Sequence, residues 1–269
     1  MRERRITIEP FAGLGNRMRA MDSAVSLAAE EGVRLRVVWT RTPDFNCSFR
    51  DLFEVPEGIE LRERTRDWDR FLRLLYARFR HSRVFEQREM EQLRRDPTPI
   101  REALSRQDVH IVTGSWFFPS PQPFACFRPI AAIRQEIDAQ LSRFGTRTVG
   151  VHIRRTDNVQ AIDRSPTRLF IERMATELRQ APDTTFFLAT DSPTEEACIA
   201  GNFPNRVQFR PKALDRGDPQ ALRDAVVDLY CLAHTCSILG SYWSSFSAIA
   251  AALGGVKLEV VDGTKEFVR

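Results

Sequence analysis

The sequence predicts an α/β protein built in two halves. Three observations lead there. Strand and helix patterns alternate along the chain, which favours layered α/β architecture. A glycine turn, Gly13-Leu14-Gly15, separates the first strand from the first helix and completes a βαβ unit. A second alternating series begins near Thr146. A length of 269 residues suits one large or two small domains, so the division is expected near 145, giving halves 1–145 and 146–269.

The elements follow in order. Arg5–Glu9 reads as a strand with Ile6 and Ile8 on one face, and Phe11–Arg17 as a turn. Met18, Met21, Val25 and Ala28 recur at helical spacing, and that helix stops at Gly32. Val33–Thr40 is a second strand, and Asp44–Phe53 reads as loop. Arg62–Arg95 is dense in arginine, with Phe71, Leu74, Leu75 and Phe79 as an apolar stripe, and is expected to be an amphipathic surface helix. Val109–Ser115 is a strand and Ile130–Phe144 a helix ended by Gly145.

In the second half Thr148–Arg154 is a strand, Ser165–Ala181 holds a helix and Thr184–Thr190 is a buried strand. Ser192-Pro193-Thr194-Glu195 has the pattern of a capping box with proline at the first helical position, and Asp191 beside it reads as a capping residue. Val207–Arg210 is a short strand. Asp218-Pro219 opens a helix with Leu222, Val226, Leu229 and Ala233 on one face. Strand Ser237–Gly240, helix Ser244–Leu253 and strand Lys257–Val261 complete the chain.

Composition narrows the function classes. Apolar residues make up 42% and charged residues 28%, which excludes a disordered chain, a collagen-like fibre and a coiled-coil rod. The longest uncharged stretch, Leu229–Val256, carries several serines and Gly240, so no membrane span is expected. The basic N-terminus lacks an apolar run after it, so no signal peptide is expected. Five cysteines without a C-x-x-C pattern suit free thiols in a reducing, cytoplasmic compartment. Three of the 40 basic residues are lysines, a bias that suits bidentate anion binding. A net charge of +4 is too small to argue for nucleic acid, which is not expected as a partner. No H-E-x-x-H or H-x-x-E-H pattern occurs and the remaining histidines have no partner pattern, so no metal site is expected.

Four constellations carry chemistry. Gly13-Leu14-Gly15-Asn16-Arg17 lies between a strand and a helix, where backbone can approach a phosphate. Met18 replaces the third glycine of the dinucleotide fingerprint, and no acid follows the second strand. The turn therefore reads as a phosphate or sugar-nucleotide contact, or as a tight turn with no ligand. In Gly150–Asn158, alternation puts Gly150, His152 and Arg154 on one strand face and Val149, Val151 and Ile153 on the other. Arg154 at the carboxyl edge suits a diphosphate, with Asp157 orienting an arginine; internal compensation of Arg154 and Arg155 by Asp157 is the plain alternative. Asp224 and Asp228 share a helix face, and a carboxylate such as Asp228 can accept from guanine N1–H and its 2-amino group together. A solvated or capping pair is the plain alternative. Gly240–Ser247 carries four serines at a helix start, which suits an anion and exceeds what N-capping needs.

Together, Gly13–Arg17, His152-Ile153-Arg154-Arg155-Thr156-Asp157, Leu222–Leu229 and Ser244-Ser245-Phe246 resemble the fucosyltransferase superfamily of α-1,2-, α-1,6- and protein O-fucosyltransferases. The H-x-R-R-x-D element looks most like the α-1,6 and rhizobial nodulation enzymes. The resemblance implies a GT-B-like fold of two Rossmann-like halves with mostly parallel sheets, and a GDP-sugar donor, most readily GDP-fucose, as a substrate. It also implies inversion at the anomeric carbon, a hydroxyl acceptor, and neither cofactor nor metal. Arg154 would hold the β-phosphate, and His152 and Asp228 would contact guanine. Ser244 or Ser245 would reach the β-phosphate, and Gly13 and Gly15 would line the diphosphate. Asn16, Arg17 and Arg155 complete the expected donor contacts, Arg154 and Asp157 are the expected catalytic pair, and Asp163 and Glu9 are further candidates for the base. The N-terminal half would face the acceptor and the C-terminal half the GDP-sugar. The competing readings are the same fold with another nucleotide sugar, or a non-catalytic binder of GDP-sugar or nucleic acid.

Overall fold

The computed structural model describes residues 4–65, 74, 75, 79, 82–156, 159–213 and 217–263. The chain forms two compact units, Met1–Ile130 with Arg216–Leu222, and Ala131–Asp215 with Arg223–Arg269. The division falls at 130/131 rather than near 145. The helix Ala131–Leu141 belongs with the second unit, where Gln140 donates to Gln208 (3.1 Å) and Glu136 pairs with Arg210 (2.5 Å).

The first unit holds strands β1 (Arg5–Pro10), β2 (Arg34–Thr40), β3 (Ile59–Arg64), β4 (Arg83–Glu86) and β5 (Val109–Thr113). All pairings are parallel and the order is β3-β2-β1-β5-β4. Its helices with described bounds are α1 (Leu14–Glu30), α2 (Gln87–Leu93) and α3 (Thr98–Arg106). Ile6 and Ile8 of β1 are fully buried, as are Met18, Met21, Ala24 and Leu27 of α1. Gly32, at φ +63°, lets the chain turn out of α1 into β2.

The arginine-rich stretch Arg62–Arg95 is helical at Leu74, Leu75 and Phe79, within the expected stripe, but it is not helix throughout. Edge strand β3 runs into its start, and edge strand β4 followed by α2 occupies its last part. An edge strand keeps one flank and much of one face in solvent, so charged residues fit there. In β3, Glu60 pairs with Arg36 (2.8 Å) and with Arg62 (2.8 Å). Leu75 and Phe79 of the expected stripe are exposed, and Phe71 lies outside the described residues.

The second unit holds β6 (Thr148–Ile153), β7 (Thr185–Thr190), β8 (Val207–Gln208), β9 (Ser237–Ser241) and β10 (Lys257–Val261). These strands are again all parallel, in the order β10-β9-β6-β7-β8. Its helices are α4 (Ala131–Leu141), α5 (Val159–Arg164), α6 (Thr167–Gln180), α7 (Pro193–Asn202), α8 (Pro219–Ala233, grouped here from Arg223) and α9 (Ser245–Gly254). Val149, Val151 and Ile153 pack into one core with Leu169, Phe170, Met174, Phe186 and Leu188. The opposite face of β6 is left to Gly150 and His152.

From β6 the chain winds outward to β7 and β8 on one side, then returns to lay β9 and β10 on the other. The order therefore reverses between β6 and β9, and in the first unit between β1 and β5. In open α/β sheets ligands bind outside the carboxyl ends of the strands at such a reversal.

The C-terminal ends of α8 and α9 meet closely. A Cβ placed on Gly254, the last residue of α9, overlaps the carbonyl of Ala233 at the end of α8. A Cβ on Gly201 in α7 meets nothing within 4 Å. Gly254→Ala should therefore lower unfolding free energy by about 3 kcal/mol or more. Gly201→Ala should raise it by about 0.5–1 kcal/mol. Urea unfolding of the two variants checks both signs.

Candidate functional site

The reversal point of the second sheet is organised by one carboxylate. Asp191, just past β7, accepts from the Arg155 backbone N–H (2.8 Å) and from the Thr156 hydroxyl (2.8 Å). It also pairs with Arg154 Nη1 (2.7 Å). Asp191 is thus not a capping residue; it gathers the segment that leaves β6. Helix α7 is capped by Ser192, which accepts from Glu195 N (3.4 Å). The reciprocal half of the expected capping box is replaced, because the Glu195 carboxylate turns to Arg155 and Thr167.

The two adjacent arginines have different surroundings. Arg155 donates from Nε to Glu195 (2.8 Å), from Nη1 to the Arg154 carbonyl (2.9 Å) and from Nη2 to Thr167 (3.1 Å). Every nitrogen of its guanidinium is engaged inside the unit, so Arg155 braces the loop. Arg154 is the more open of the two, with its side chain 23% exposed against 13% for Arg155. Its backbone N–H donates to Ser241 Oγ (3.0 Å), which ties the ends of β6 and β9 together. Asp157, the expected orienting and catalytic carboxylate, lies outside the described residues.

His152 is buried beneath this edge. Its ring stacks on Phe246 (4.9 Å between centroids) and Nδ1 lies 3.4 Å from Ser244 Oγ. Burial pushes its pKa down to about 3; Asp191 pulls the other way, and Arg154 and Lys212 add to the depression. The imidazole is therefore neutral at physiological pH.

Ser244 occupies the N-cap position of α9, yet its hydroxyl makes no capping bond. The first turn of α9, beginning at Ser245, thus keeps backbone N–H groups uncapped by that side chain, the arrangement that favours an anion. Two of the other serines are spent on structure: Ser241 also donates to the His152 carbonyl (3.3 Å), and Ser247 donates to the Ser244 carbonyl (3.4 Å).

Asp224 and Asp228 are neither solvated nor capping, since both are buried. Asp224 accepts from Ala213 N (3.0 Å), and Asp228 Oδ2 accepts from Lys212 Nζ (2.9 Å). Arg210 Nη1 stands 3.8 Å from Asp228 Oδ1, and Glu196 lies 3.3 Å from Lys212 Nζ. Burial raises the Asp228 pKa, and Lys212 opposes that most strongly. Asp228 Oδ1 is buried and has no hydrogen-bond partner among the described residues. Arg210, Lys212, Glu196 and Asp191 escape a reading of the sequence, because their partners lie far off along the chain.

In the first unit, Gly13 is the N-cap of α1, with extended backbone at φ −70°. A Cβ there would meet nothing within 4 Å, so the fold itself does not require glycine. Gly15 and Asn16 follow in the first turn, and Asn16 accepts from Arg19 (2.6 Å). Arg17 faces inward, only 1% exposed, against its expected donor contact. It donates to the carbonyls of Ala12 (2.8 Å) and Thr40 (2.9 Å), with its guanidinium over Phe45 and Trp39. That grip holds Ala12 in the left-handed region, at φ +65°, where a non-glycine residue costs about 1–2 kcal/mol. Of the other base candidates, Glu9 is buried against His110 (3.0 Å), a partner not anticipated for that histidine, and Asp163 is exposed on α5.

No protein-family model and no curated protein sequence matches the chain. Solved structures do. The α-1,6-fucosyltransferase NodZ soaked with GDP-fucose is 21% identical, with 94% of this chain and 93% of that chain aligned and a TM-score of 0.63. NodZ from Bradyrhizobium matches at 20% identity, over 93% and 92% of the two chains, with a TM-score of 0.62. An Arabidopsis thaliana FUT1 mutant in complex with GDP is 13% identical, over 96% and 70%, at a TM-score of 0.67. POFUT1 in complex with GDP-fucose is 13% identical, over 96% and 98%, at 0.58. The chain has the GT-B-like α/β fold of these fucosyltransferases, with two parallel five-stranded sheets.

The neutral state of His152 has a measurable consequence. An unfolded histidine takes a proton near pH 6.5, whereas this folded one does so near 3. Below 6.5 the unfolded chain binds the extra proton, so this contribution to stability falls as pH drops from 6.5 towards 3. The slope is up to about 1.4 kcal/mol per unit. Urea unfolding at pH 7 and pH 5 should show this loss in the native protein and less of it in His152→Gln. Imidazole NMR should find the ring neutral at pH 5, and titration near pH 6 would contradict the burial.

Proposed function

We propose that the protein is an inverting, metal-independent glycosyltransferase that moves fucose from GDP-fucose to a hydroxyl acceptor. The observation that carries the reading is the placement of Arg154. It stands at the carboxyl end of β6, at the sheet's reversal point, oriented by Asp191 and beside the uncapped first turn of α9. Several solved structures of the same fold were soaked with or bound to GDP or GDP-fucose, which supports the same donor here.

The chemistry follows from charge. As the glycosyl carbon becomes oxocarbenium-like, negative charge grows on the departing GDP. The Arg154 fork and the N–H groups of α9 are fixed before the reaction, so they can stabilise that charge without reorganising. Neutral His152 beneath them adds no charge and packs the nucleotide floor. Asp228 Oδ1, a buried acceptor that no described residue hydrogen-bonds, suits the N1–H and 2-amino group of guanine. Attack by the acceptor hydroxyl from the face opposite GDP gives inversion in a single displacement, with a base taking the hydroxyl proton.

GDP should raise the melting temperature more than UDP or ADP at equal concentration, by mass action. Equal shifts would point to the same fold using another nucleotide sugar. With GDP-fucose, Arg154→Lys keeps the charge but loses the fork, and should lower kcat/KM about a hundredfold, near 2.7 kcal/mol. The loss should appear in kcat as well as in KM, since the charge grows in the transition state. Arg155→Lys should lower thermal stability more than it lowers donor affinity. Transfer should survive excess EDTA; complete loss restored by Mg²⁺ or Mn²⁺ contradicts the metal-independent mechanism.

A further inference from the structure

We propose that Lys212 is the positioning residue for nucleobase recognition: its ammonium, held between Asp228 and Glu196, keeps Asp228 as the carboxylate that meets guanine. The inference rests on the reading of Asp228 as the guanine acceptor.

Lysine is scarce in this chain, three residues against 37 arginines. One of them, Lys212, has a side chain only 5% exposed, and it donates to Asp228 Oδ2 at 2.9 Å. The geometry explains the choice. A compact ammonium with three donors can sit between two carboxylates, Asp228 and Glu196 at 3.3 Å, where a planar fork fits less well.

The charges around Asp228 do not otherwise balance in its favour. Asp224, one turn earlier on α8, disfavours a second negative charge. Arg210 favours it but stands 3.8 Å from Oδ1 without a hydrogen bond, and its Nη2 also serves Glu136 and Asp224. Cys231, one turn later, is a thiol whose pKa Asp228 and burial together raise to about 12, so it brings no charge. His152, which also senses Lys212, is neutral. Among the described residues, Lys212 is thus the nearest compensation for a carboxylate whose burial favours the protonated form.

The protonation state decides recognition. Guanine presents two donors, N1–H and the 2-amino group, and an ionised carboxylate is acceptor-only. Each oxygen has two acceptor sites, so Oδ2 can hold Lys212 and still face a ligand. A protonated Asp228 would set an O–H against an N–H.

Calorimetric titration with GDP between pH 6.5 and 8.5 tests this, read as the ratio of variant to native affinity. Lys212→Met should bind GDP about tenfold more weakly or worse at pH 6.5 and recover as pH rises, because the ionised fraction of Asp228 grows with pH. Lys212→Arg should keep a ratio independent of pH. A Lys212→Met loss equal at every pH, or no loss, overturns the proposal. The ¹³C carboxyl resonance of Asp228 without ligand, assigned with Asp228→Asn, gives a second readout. It should stay ionised across this range in the native protein, and protonation there overturns the proposal even if Lys212→Met fails to fold. If the native protein binds no GDP, yet Asp228 titrates in this range only when Lys212 is replaced, the donor reading fails and the counter-ion role stands.

Discussion

The carboxylate of Asp191 is the contact on which the site of the second unit depends. It accepts two backbone N–H groups and a hydroxyl from the chain leaving β6, and it pairs with the Arg154 guanidinium. Without it, two adjacent arginines would repel each other and the strand end would have no fixed exit. With it, the arginines divide the work. Arg155 is consumed by Glu195, Thr167 and a carbonyl, and Arg154 keeps the more open position. Ser241 then locks the same segment to β9, so both strands that flank the reversal point hold it.

Burial sets the electrostatics of the rest. Taking ionisable groups out of water shifts them towards their neutral forms unless a partner compensates. His152 has no close anionic partner strong enough and becomes neutral. Asp228 has Lys212, with Arg210 behind it. The carboxyl edge of the second unit's sheet is therefore built from one guanidinium, one uncharged imidazole, one paired carboxylate and a helix N-terminus. Each is set by packing before any ligand arrives, which is the condition for stabilising developing charge.

Much of this was legible in the sequence where local pattern and burial coincide. Buried parallel strands read as apolar runs, so β1, β2, β5, β6, β7, β9 and β10 stand within about two residues of their expected places. The alternation that put His152 and Arg154 on one face of β6 is matched by Val149, Val151 and Ile153 in the opposite core. The edge strands β3 and β4 did not show, because an edge accepts charges that mask period-two alternation. In α1, Ala24 and Leu27 face the core where Val25 was expected. Among site residues, the failures are the long-range ones. Asp191 lies 36 residues from Arg155, and Lys212 lies 16 residues from Asp228. Arg17 misled for the opposite reason, since a basic residue after a glycine turn suggests a phosphate. Here the aromatic cluster of Trp39, Phe45 and Phe49 draws it inward.

The claim that Asp191 acts by placing Arg154 is tested most directly by a double-mutant cycle on kcat/KM with GDP-fucose, using Asp191→Ala, Arg154→Lys and the pair. If one residue works through the other, each single change removes most of the same contribution. The double variant should then be about as active as the weaker single one, with a coupling of roughly 1–3 kcal/mol. Losses that simply add would mean that Asp191 and Arg154 act independently, and would contradict the account.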